Sequence, residues 1–248
     1  MKLDLLAFGV HPDDVELGCG GTILAHLELG YKAGIIDLTR GELGTRGTAD
    51  LRLKEAQKAA KILGVEIREN LFFADGFFTT DQYNLLQVIK KLRQYKPEIV
   101  LCNAPSDRHP DHGRASKLVS DACFYAGLIK IETLQDDLPH ESLPQDGLPQ
   151  QVWRPKAVYH YIQDRYLKPD IVVDVTPFMD KKVEAILAFS SQFFNPESNE
   201  PETPISSREF LDAVKSRAID YGRQIGGKYG EGFQVERYVG VKNLFDLL

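Results

Sequence analysis

The sequence predicts an α/β fold in which helices cover both faces of a mostly parallel sheet. Short apolar runs, of the length of buried strands, alternate with segments that carry apolar residues at helical spacing. Over the first half of the chain the connections between them are short, as in successive βαβ units. The 248 residues suffice for one domain, and the sequence contains no repeat and no linker between two cores. We therefore predict a single Rossmann-like domain over residues 1–248.

The first elements follow this alternation closely. Residues 3–9 are apolar and end at a glycine, which is typical of a buried parallel strand. Residues 22–29 place their apolar side chains on one helical face and are followed by a glycine stop. Residues 33–38 (AGIIDL) predict the second strand, residues 50–63 an amphipathic helix that ends at a glycine, and residues 70–74 (NLFFA) the third strand.

The middle of the chain continues the pattern. Residues 81–95 predict a helix, with an N-cap at its start and a proline just beyond its end. Residues 98–103 (EIVLCN) predict a strand, and residues 113–127 carry small and apolar side chains at helical spacing. Two further strands are predicted at residues 156–162 (KAVYHYI) and 170–175 (DIVVDV).

Two polar stretches interrupt the alternation near the end of the chain. Residues 133–155 hold four prolines among acids and glutamines, and residues 191–206 are rich in Pro, Glu and Ser, so both predict long loops. Residues 176–189 begin with a Thr-Pro helix start. A capping box predicts a helix over residues 206–221, and residues 233–241 resemble a strand.

Composition narrows the class of protein. The net charge of −6 disfavours nucleic acid as a partner, because an acidic chain does not attract phosphate backbones. Three cysteines form no disulfide framework and fit a reducing compartment. The sequence shows neither a secretory signal nor an apolar run that could span a membrane. We therefore expect a cytoplasmic protein without a membrane partner.

Two short motifs concentrate the chemistry of the chain. His11-Pro12-Asp13-Asp14 follows the first strand, and His109-Pro110-Asp111-His112 follows the strand at 98–103 after a short loop. In an open parallel sheet, ligands bind at the carboxyl ends of the strands, where both motifs are predicted to lie. Imidazole nitrogens and a carboxylate suit zinc and leave a position for water.

Simpler interpretations compete with this one. A single His-Pro-Asp could be an ordinary turn, and only the joint occurrence at two strand ends favours a metal site. His26 is predicted to be structural and His140 to be solvated, whereas core and pocket lining both stay open for His160. The glycines at 18–21 do not complete a dinucleotide fingerprint, so we interpret them as sites of close backbone packing.

The two motifs resemble those of the PIG-L/LmbE-like zinc-dependent N-acetylglucosamine deacetylases. Further stretches agree with that family, and the C-terminal ones are similar to its bacillithiol-biosynthesis branch. They are residues 39–48 (TRGELGTRGT), Arg52 with Glu55, 191–193 (SQF), 202–203 (ET), 222–226 (GRQIG), Tyr229 and 231–233 (EGF). Residues 134–151 depart from the family pattern by being longer and more acidic.

The resemblance implies a role for each motif residue. It implies that His11, Asp14 and His112 bind zinc, which would activate water and polarise the acetyl carbonyl. Asp13 would then be the general base. His109, as an imidazolium, would stabilise the oxyanion, and Asp111 would orient His109 and raise its pKa.

Three further residues are candidates for binding substrate. Arg52 and Arg108 could bind anionic groups, since guanidinium forks bind carboxylates, although surface salt bridging is the alternative. Glu42 could accept hydrogen bonds from sugar hydroxyls or be a solvated loop acid.

The leading hypothesis is a metal-dependent hydrolase that removes acetate from N-acetyl-alpha-D-glucosaminyl L-malate. The alternatives are a deacetylase of another GlcNAc conjugate, such as a chitooligosaccharide or a mycothiol-type or antibiotic intermediate, and a non-enzymatic metal- or sugar-binding module. The same ligands accept zinc and ferrous iron. The resemblance also implies a homo-oligomer and suggests a hexamer.

Overall fold

The computed structural model describes residues 1–135 and 148–247. Its strands are β1 (Leu5–Gly9), β2 (Ala33–Thr39), β3 (Ile67–Phe73), β4 (Ile99–Asn103), β5 (Ala157–Tyr161), β6 (Ile171–Asp174) and β7 (Gly230–Val235). Its α-helices are α1 (Asp14–Glu28), α2 (Ala49–Leu63), α3 (Gln82–Tyr95), α4 (Pro110–Tyr125), α5 (Met179–Leu187) and α6 (Arg208–Gln224). A 3₁₀ turn, Thr176–Phe178, precedes α5.

The seven strands form one sheet in the order β3-β2-β1-β4-β5-β7-β6. The first five strands of this order are parallel, and β7 runs antiparallel to both β5 and β6. The order reverses direction between β1 and β4, and such a switch point opens a crevice at the carboxyl ends of the two strands. The mostly parallel α/β fold predicted from the sequence is confirmed.

Alternation along β1 divides the core into two layers. Leu6 and Phe8 point into a cluster shared with α3 and α4, whereas Leu5 and Ala7 point into a cluster shared with α1. All four side chains are buried. The strand that carries the first motif is therefore clamped between helices on both faces, which fixes the position of its carboxyl end.

Several predicted boundaries differ from the structure, and three of them are informative. Helix α1 begins eight residues before the predicted start, at Asp14, and is interrupted by non-helical backbone at Cys19. Helix α6 is capped by Ser207, because Ser206 forms a turn with Thr203 instead. Strand β7 begins and ends earlier than residues 233–241, and we attribute its end to the loss of its partners, since its last pairing with β5 is at Val235.

Residues 136–147, which hold His140 and much of the first polar stretch, lie outside the described residues. The parts on either side of the gap meet in an isolated bridge between Leu134 and Pro149. Residues 191–206 contain neither a helix nor a strand. Within the described part of the chain, none of the helices is both long and apolar enough to cross a membrane.

Candidate metal centre and active site

The first motif forms the turn that joins β1 to α1. Asp13 occupies the N-cap position with φ of 126°, a conformation that is unusual for a residue with a side chain. Such backbone strain costs about 1–3 kcal/mol and is concentrated at functional sites. The turn directs His11, Asp13 and Asp14 into one cavity of about 240 Å³.

The second motif begins helix α4. His109 is its N-cap and Pro110 is its first residue, where a missing N–H costs nothing. His112 follows in the first turn, so His109 and His112 lie on neighbouring sides of the same helix end. Both line the cavity that the first motif faces.

The structure brings the three predicted metal ligands together. Nδ1 of His11 lies 3.7 Å from Oδ2 of Asp14, and Nε2 of His112 lies 3.4 Å from Oδ1 of Asp14. Ligand atoms bound tetrahedrally to one zinc ion lie about 3.3–3.6 Å apart, given bonds of about 2.0–2.2 Å. The donor nitrogens of His11, His109 and His112 also lie within 4.8 Å of one another, as do donor atoms of His11, Asp75 and Asp111, so these two sets are geometric alternatives.

Each predicted histidine ligand has a carboxylate on its other ring nitrogen. Oδ1 of Asp75 lies 2.9 Å from Nε2 of His11, and Oδ2 of Asp107 lies 2.7 Å from Nδ1 of His112. A carboxylate in this position fixes the tautomer of a histidine ligand and strengthens its donor nitrogen. Both acids were missed by the sequence analysis, although each lies in a loop that follows a parallel strand.

Asp14 is held by hydrogen bonds from three directions. Its Oδ2 accepts from the His11 N–H and from Nδ2 of Asn103, both at 3.0 Å, and its Oδ1 accepts from Nε2 of Gln163 at 2.7 Å. Asn103 ends β4 and Gln163 follows β5, and neither was a predicted site residue. Although burial alone would raise it, the pKa of Asp14 is lowered well below its usual range by His112 and His11.

The charge of this cluster fits a bound cation. Burial opposes protonation of His112, yet Asp14 and Asp107 together raise its pKa to about 10. The carboxylates of Asp14 and Asp107, on either side of the His112 ring, therefore favour a positive charge on that ring. A divalent cation bound to the ring would supply this charge in place of the proton. The donor set of two imidazoles and one carboxylate suits zinc or ferrous iron.

Asp13 and Arg52 form a buried ion pair at the wall of the cavity. Nη2 of Arg52 donates to Oδ2 of Asp13 at 2.6 Å, and Nε donates to the Pro12 carbonyl at 3.2 Å. Burial and neighbouring Asp14 raise the pKa of Asp13 to about 6, against the opposing charge of Arg52. The substrate-binding role of Arg52 stays a prediction, since its guanidinium is engaged with the acid.

Asp111 contacts His109 through its main chain. The Asp111 main-chain N–H, and not its carboxylate, donates to Nδ1 of His109 at 3.3 Å. The carboxylate accepts instead from the Gly76 N–H and from Nη1 of Arg114. Asp111 does raise the pKa of His109, as expected of a nearby carboxylate, but burial, His11 and His112 outweigh it, so the net shift is downward and does not favour the expected imidazolium.

The other two predicted substrate-binding residues lie at the edge of the site. Arg108 lines the cavity and donates through Nε to the carboxylate of Asp164. Glu42 is exposed, and its oxygens accept from the Asp75 N–H at 3.0 Å and the Arg40 N–H at 3.2 Å. Glu42 thus joins the loop after β2 to the loop after β3, and its contact with sugar stays a prediction.

The remaining described histidines lie outside the cavity. His26 hydrogen-bonds the Thr22 carbonyl within α1, in keeping with a structural role. His160 is buried in β5, with Nδ1 2.9 Å from Oγ of Ser116 and Nε2 3.0 Å from Oε1 of Glu236. Of the two interpretations left open for His160, the structure therefore supports the core.

The chain matches a family of known enzymes. Residues 6–123 match the PIG-L family model, described as GlcNAc-PI de-N-acetylase, and these residues include both motifs. A crystal structure of a conserved protein from Thermus thermophilus superposes with a TM-score of 0.80 and is 34% identical, covering 97% of this chain and 98% of that one. The chain belongs to the PIG-L family.

Relatives in this family act on different substrates. Diacetylchitobiose deacetylase of Thermococcus kodakarensis is 29% identical over 93% of this chain and 82% of its own length. A 4-oxalmesaconate hydratase of Pseudomonas putida is 27% identical over 92% and 87%. A probable N-acetyl-alpha-D-glucosaminyl L-malate deacetylase of Bacillus anthracis is 26% identical over 74% and 78%.

Proposed function

We propose that this protein is a metal-dependent hydrolase that removes the acetyl group from an N-acetylglucosamine conjugate. The observation that carries the proposal is the cluster of His11, Asp14 and His112, with a carboxylate behind each imidazole and with Asp13 beside them. Family membership supports the same chemistry. Zinc or ferrous iron held by these three residues would polarise the acetyl carbonyl and acidify water.

Asp13 would transfer the protons of the reaction, and His109 would stabilise the oxyanion. Asp13 lines the cavity while Arg52 fixes one of its oxygens, so it is placed to take a proton from water and return it to the leaving amine. His109 accepts the Asp111 N–H at Nδ1, which leaves Nε2 to donate to the oxyanion as a neutral imidazole. Asp111 therefore positions His109 through its main chain.

The edge of the cavity favours an uncharged sugar conjugate. Arg108, the candidate for binding a carboxylate, is already paired with Asp164. The cavity of about 240 Å³ is also walled by apolar side chains, among them Leu17, Ile205 and Phe210. We therefore rank a saccharide of the diacetylchitobiose type first among the substrates.

The malate conjugate is the second candidate. It is favoured by the C-terminal stretches quoted from the sequence and by the similarity to the Bacillus anthracis relative. Binding its two carboxylates would require Arg108 to exchange Asp164 for the substrate. The cytoplasmic location and the homo-oligomer, with the hexamer suggested by the resemblance, also stay predictions.

The test is acetate release by protein of measured zinc content. Diacetylchitobiose, N-acetylglucosaminyl malate and 4-oxalmesaconate, the unsaturated tricarboxylate named in the hydratase relative, form the panel. We expect acetate from at least one GlcNAc conjugate, with a loss of about 10²–10⁴-fold in Asp13→Asn and about 10²–10³-fold in His109→Ala. Zinc-loaded protein that releases no acetate would refute the proposal, and hydration of 4-oxalmesaconate alone would assign the hydratase reaction instead.

A further inference from the structure

Helix α1 is broken directly behind the metal-binding turn. Cys19 has φ of −146° and ψ of 18°, which divides the helix into a short first segment and a longer second one. A break of this kind leaves carbonyls without partners at the end of the first segment and N–H groups without partners at the start of the second. The short segment begins at Asp14, and its Leu17 lines the active-site cavity.

A buried ion pair supplies the missing partners. Nζ of Lys182, on α5, donates to the Leu17 carbonyl at 2.8 Å and to Oε1 of Glu231 at 2.6 Å. Glu231, on β7, accepts from the Gly21 N–H at 2.9 Å and the Thr22 N–H at 2.7 Å. The cation thus lies at the carbonyl end of one segment and the anion at the N–H end of the next, as the helix dipoles favour.

The pair is connected to the reacting groups through the main chain. Leu17 donates its own N–H to the Asp13 carbonyl at 3.0 Å, while Lys182 binds its carbonyl. Lys182 and Glu231 are only 3% exposed. Buried ion pairs contribute little net stability, so we look for the role of this pair in the conformation that it holds.

Close packing fixes the same break from the other side. A Cβ atom at Gly18 would overlap the ring of Tyr161, and one at Gly21 would lie 2.8 Å from Val175. Tyr161 in turn donates its hydroxyl to the Phe8 carbonyl of β1 at 3.0 Å. The break is therefore held in one place relative to the strand that carries the first motif.

We propose that Lys182 and Glu231 are positioning residues, which hold the broken first segment of α1 so that Asp14 keeps the geometry needed for metal binding and Asp13 keeps its place beside the metal site. This inference rests on the metal site of the proposed function. It assigns a task to the Glu-Gly-Phe stretch at 231–233, which the proposed reaction does not use.

The experiment measures zinc affinity of the full-length protein by competition with a chelator. Lys182→Met removes the partner of the Leu17 carbonyl, and Glu231→Gln removes the charge that pairs with Lys182. We expect zinc to bind about tenfold more weakly to each variant, by analogy with other groups that orient ligands indirectly. The visible spectrum of the cobalt-loaded variants should also change, because it reports ligand geometry.

Arg93→Met is the matched control. Arg93 is a buried cation on α3, across the sheet from α1, and it likewise donates to main-chain carbonyls, those of Ala126, Leu128 and Ile131. We expect this variant to lose stability in urea but to keep its zinc affinity within twofold and its cobalt spectrum unchanged.

The outcomes separate positioning from general stability. Zinc affinity within twofold of the original in both test variants overturns the proposal, as does an equal loss in Arg93→Met. If the single variants do not fold, the double variant Lys182→Met/Glu231→Gln, which leaves no unpaired charge, carries the same test. Failure of that variant to fold also overturns it, because the pair would then serve folding. Zinc affinity is measured without substrate, so failure of the deacetylase assay refutes only the proposed function.

Discussion

Asp107→Asn should weaken metal binding without disturbing the loop that carries it. Oδ1 of Asp107 accepts from the Arg108 N–H at 2.8 Å and the Arg165 N–H at 2.7 Å, and an asparagine oxygen can keep both bonds. The amide nitrogen must then replace Oδ2, which lies 2.7 Å from Nδ1 of His112. A carboxylate oxygen accepts a hydrogen bond from that nitrogen, whereas the amide nitrogen can only donate one.

The expected magnitude follows from this reversal. With a donor at Nδ1, the neutral imidazole of His112 carries its proton on Nε2, the nitrogen that faces Asp14. Metal binding must then shift the tautomer and break the new hydrogen bond. Loss of a carboxylate behind a histidine ligand costs about 10–100-fold in affinity, which corresponds to about 1.4–2.7 kcal/mol. We expect Asp107→Asn to lie in the upper half of this range.

The assay is zinc competition at pH 7.5, with the unfolding of the metal-free protein followed in urea. Asp121→Asn is the control, because Asp121 lies on the same helix as His112 but pairs with Lys117 at the surface. A zinc affinity of Asp107→Asn within threefold of the control would refute the reasoning, since His112 would then not depend on a carboxylate acceptor.

Three further predictions follow from the geometry. Asp75→Asn removes the carboxylate that contacts Nε2 of His11 and should weaken zinc binding about tenfold in the same competition assay. An unchanged affinity would mean that His11 does not bind the metal. Gly18→Ala should lower the free energy of unfolding by about 1–3 kcal/mol in urea, because its Cβ would overlap Tyr161, whereas Gly20→Ala, whose Cβ would lie 3.6 Å from Cγ of Lys182, should change it far less. Arg108→Gln should leave the KM for diacetylchitobiose within threefold, and a larger rise for the malate conjugate alone would rank that substrate first.

The fold and the centre of the site were predictable because both depend on local patterns. Strand and helix periodicity places the two motifs at the carboxyl ends of β1 and β4, and these strands are neighbours in the sheet. Asp75 and Asp107 follow the same rule, since each lies in a loop after a parallel strand. They were missed because an isolated aspartate in a loop resembles a solvated acid, and only the three-dimensional structure shows which imidazole it contacts.

The start of α1 was missed for a different reason. Three glycines between positions 18 and 21 lower the local preference for a helix, and the helix is broken among them, at Cys19. What the local sequence lacks is the support for that break, which comes from Lys182 and Glu231 far along the chain. A helix with a low local preference is formed here because tertiary hydrogen bonds satisfy its interrupted backbone.

The arginines show why charge in a sequence is a weak guide to substrate. Arg52 and Arg108 were candidates for binding an anionic ligand, but each is paired with an aspartate of the site, Asp13 and Asp164. A guanidinium that already has a carboxylate partner can bind a second one only by losing the first or by sharing its donors. Binding of an anionic conjugate therefore depends on the difference in free energy between the pair of arginine with the protein's aspartate and its pair with the ligand's carboxylate. A neutral sugar binds without breaking the pair inside the protein. The net charge of −6 has the same consequence, because it repels an anionic substrate and does not repel an uncharged one.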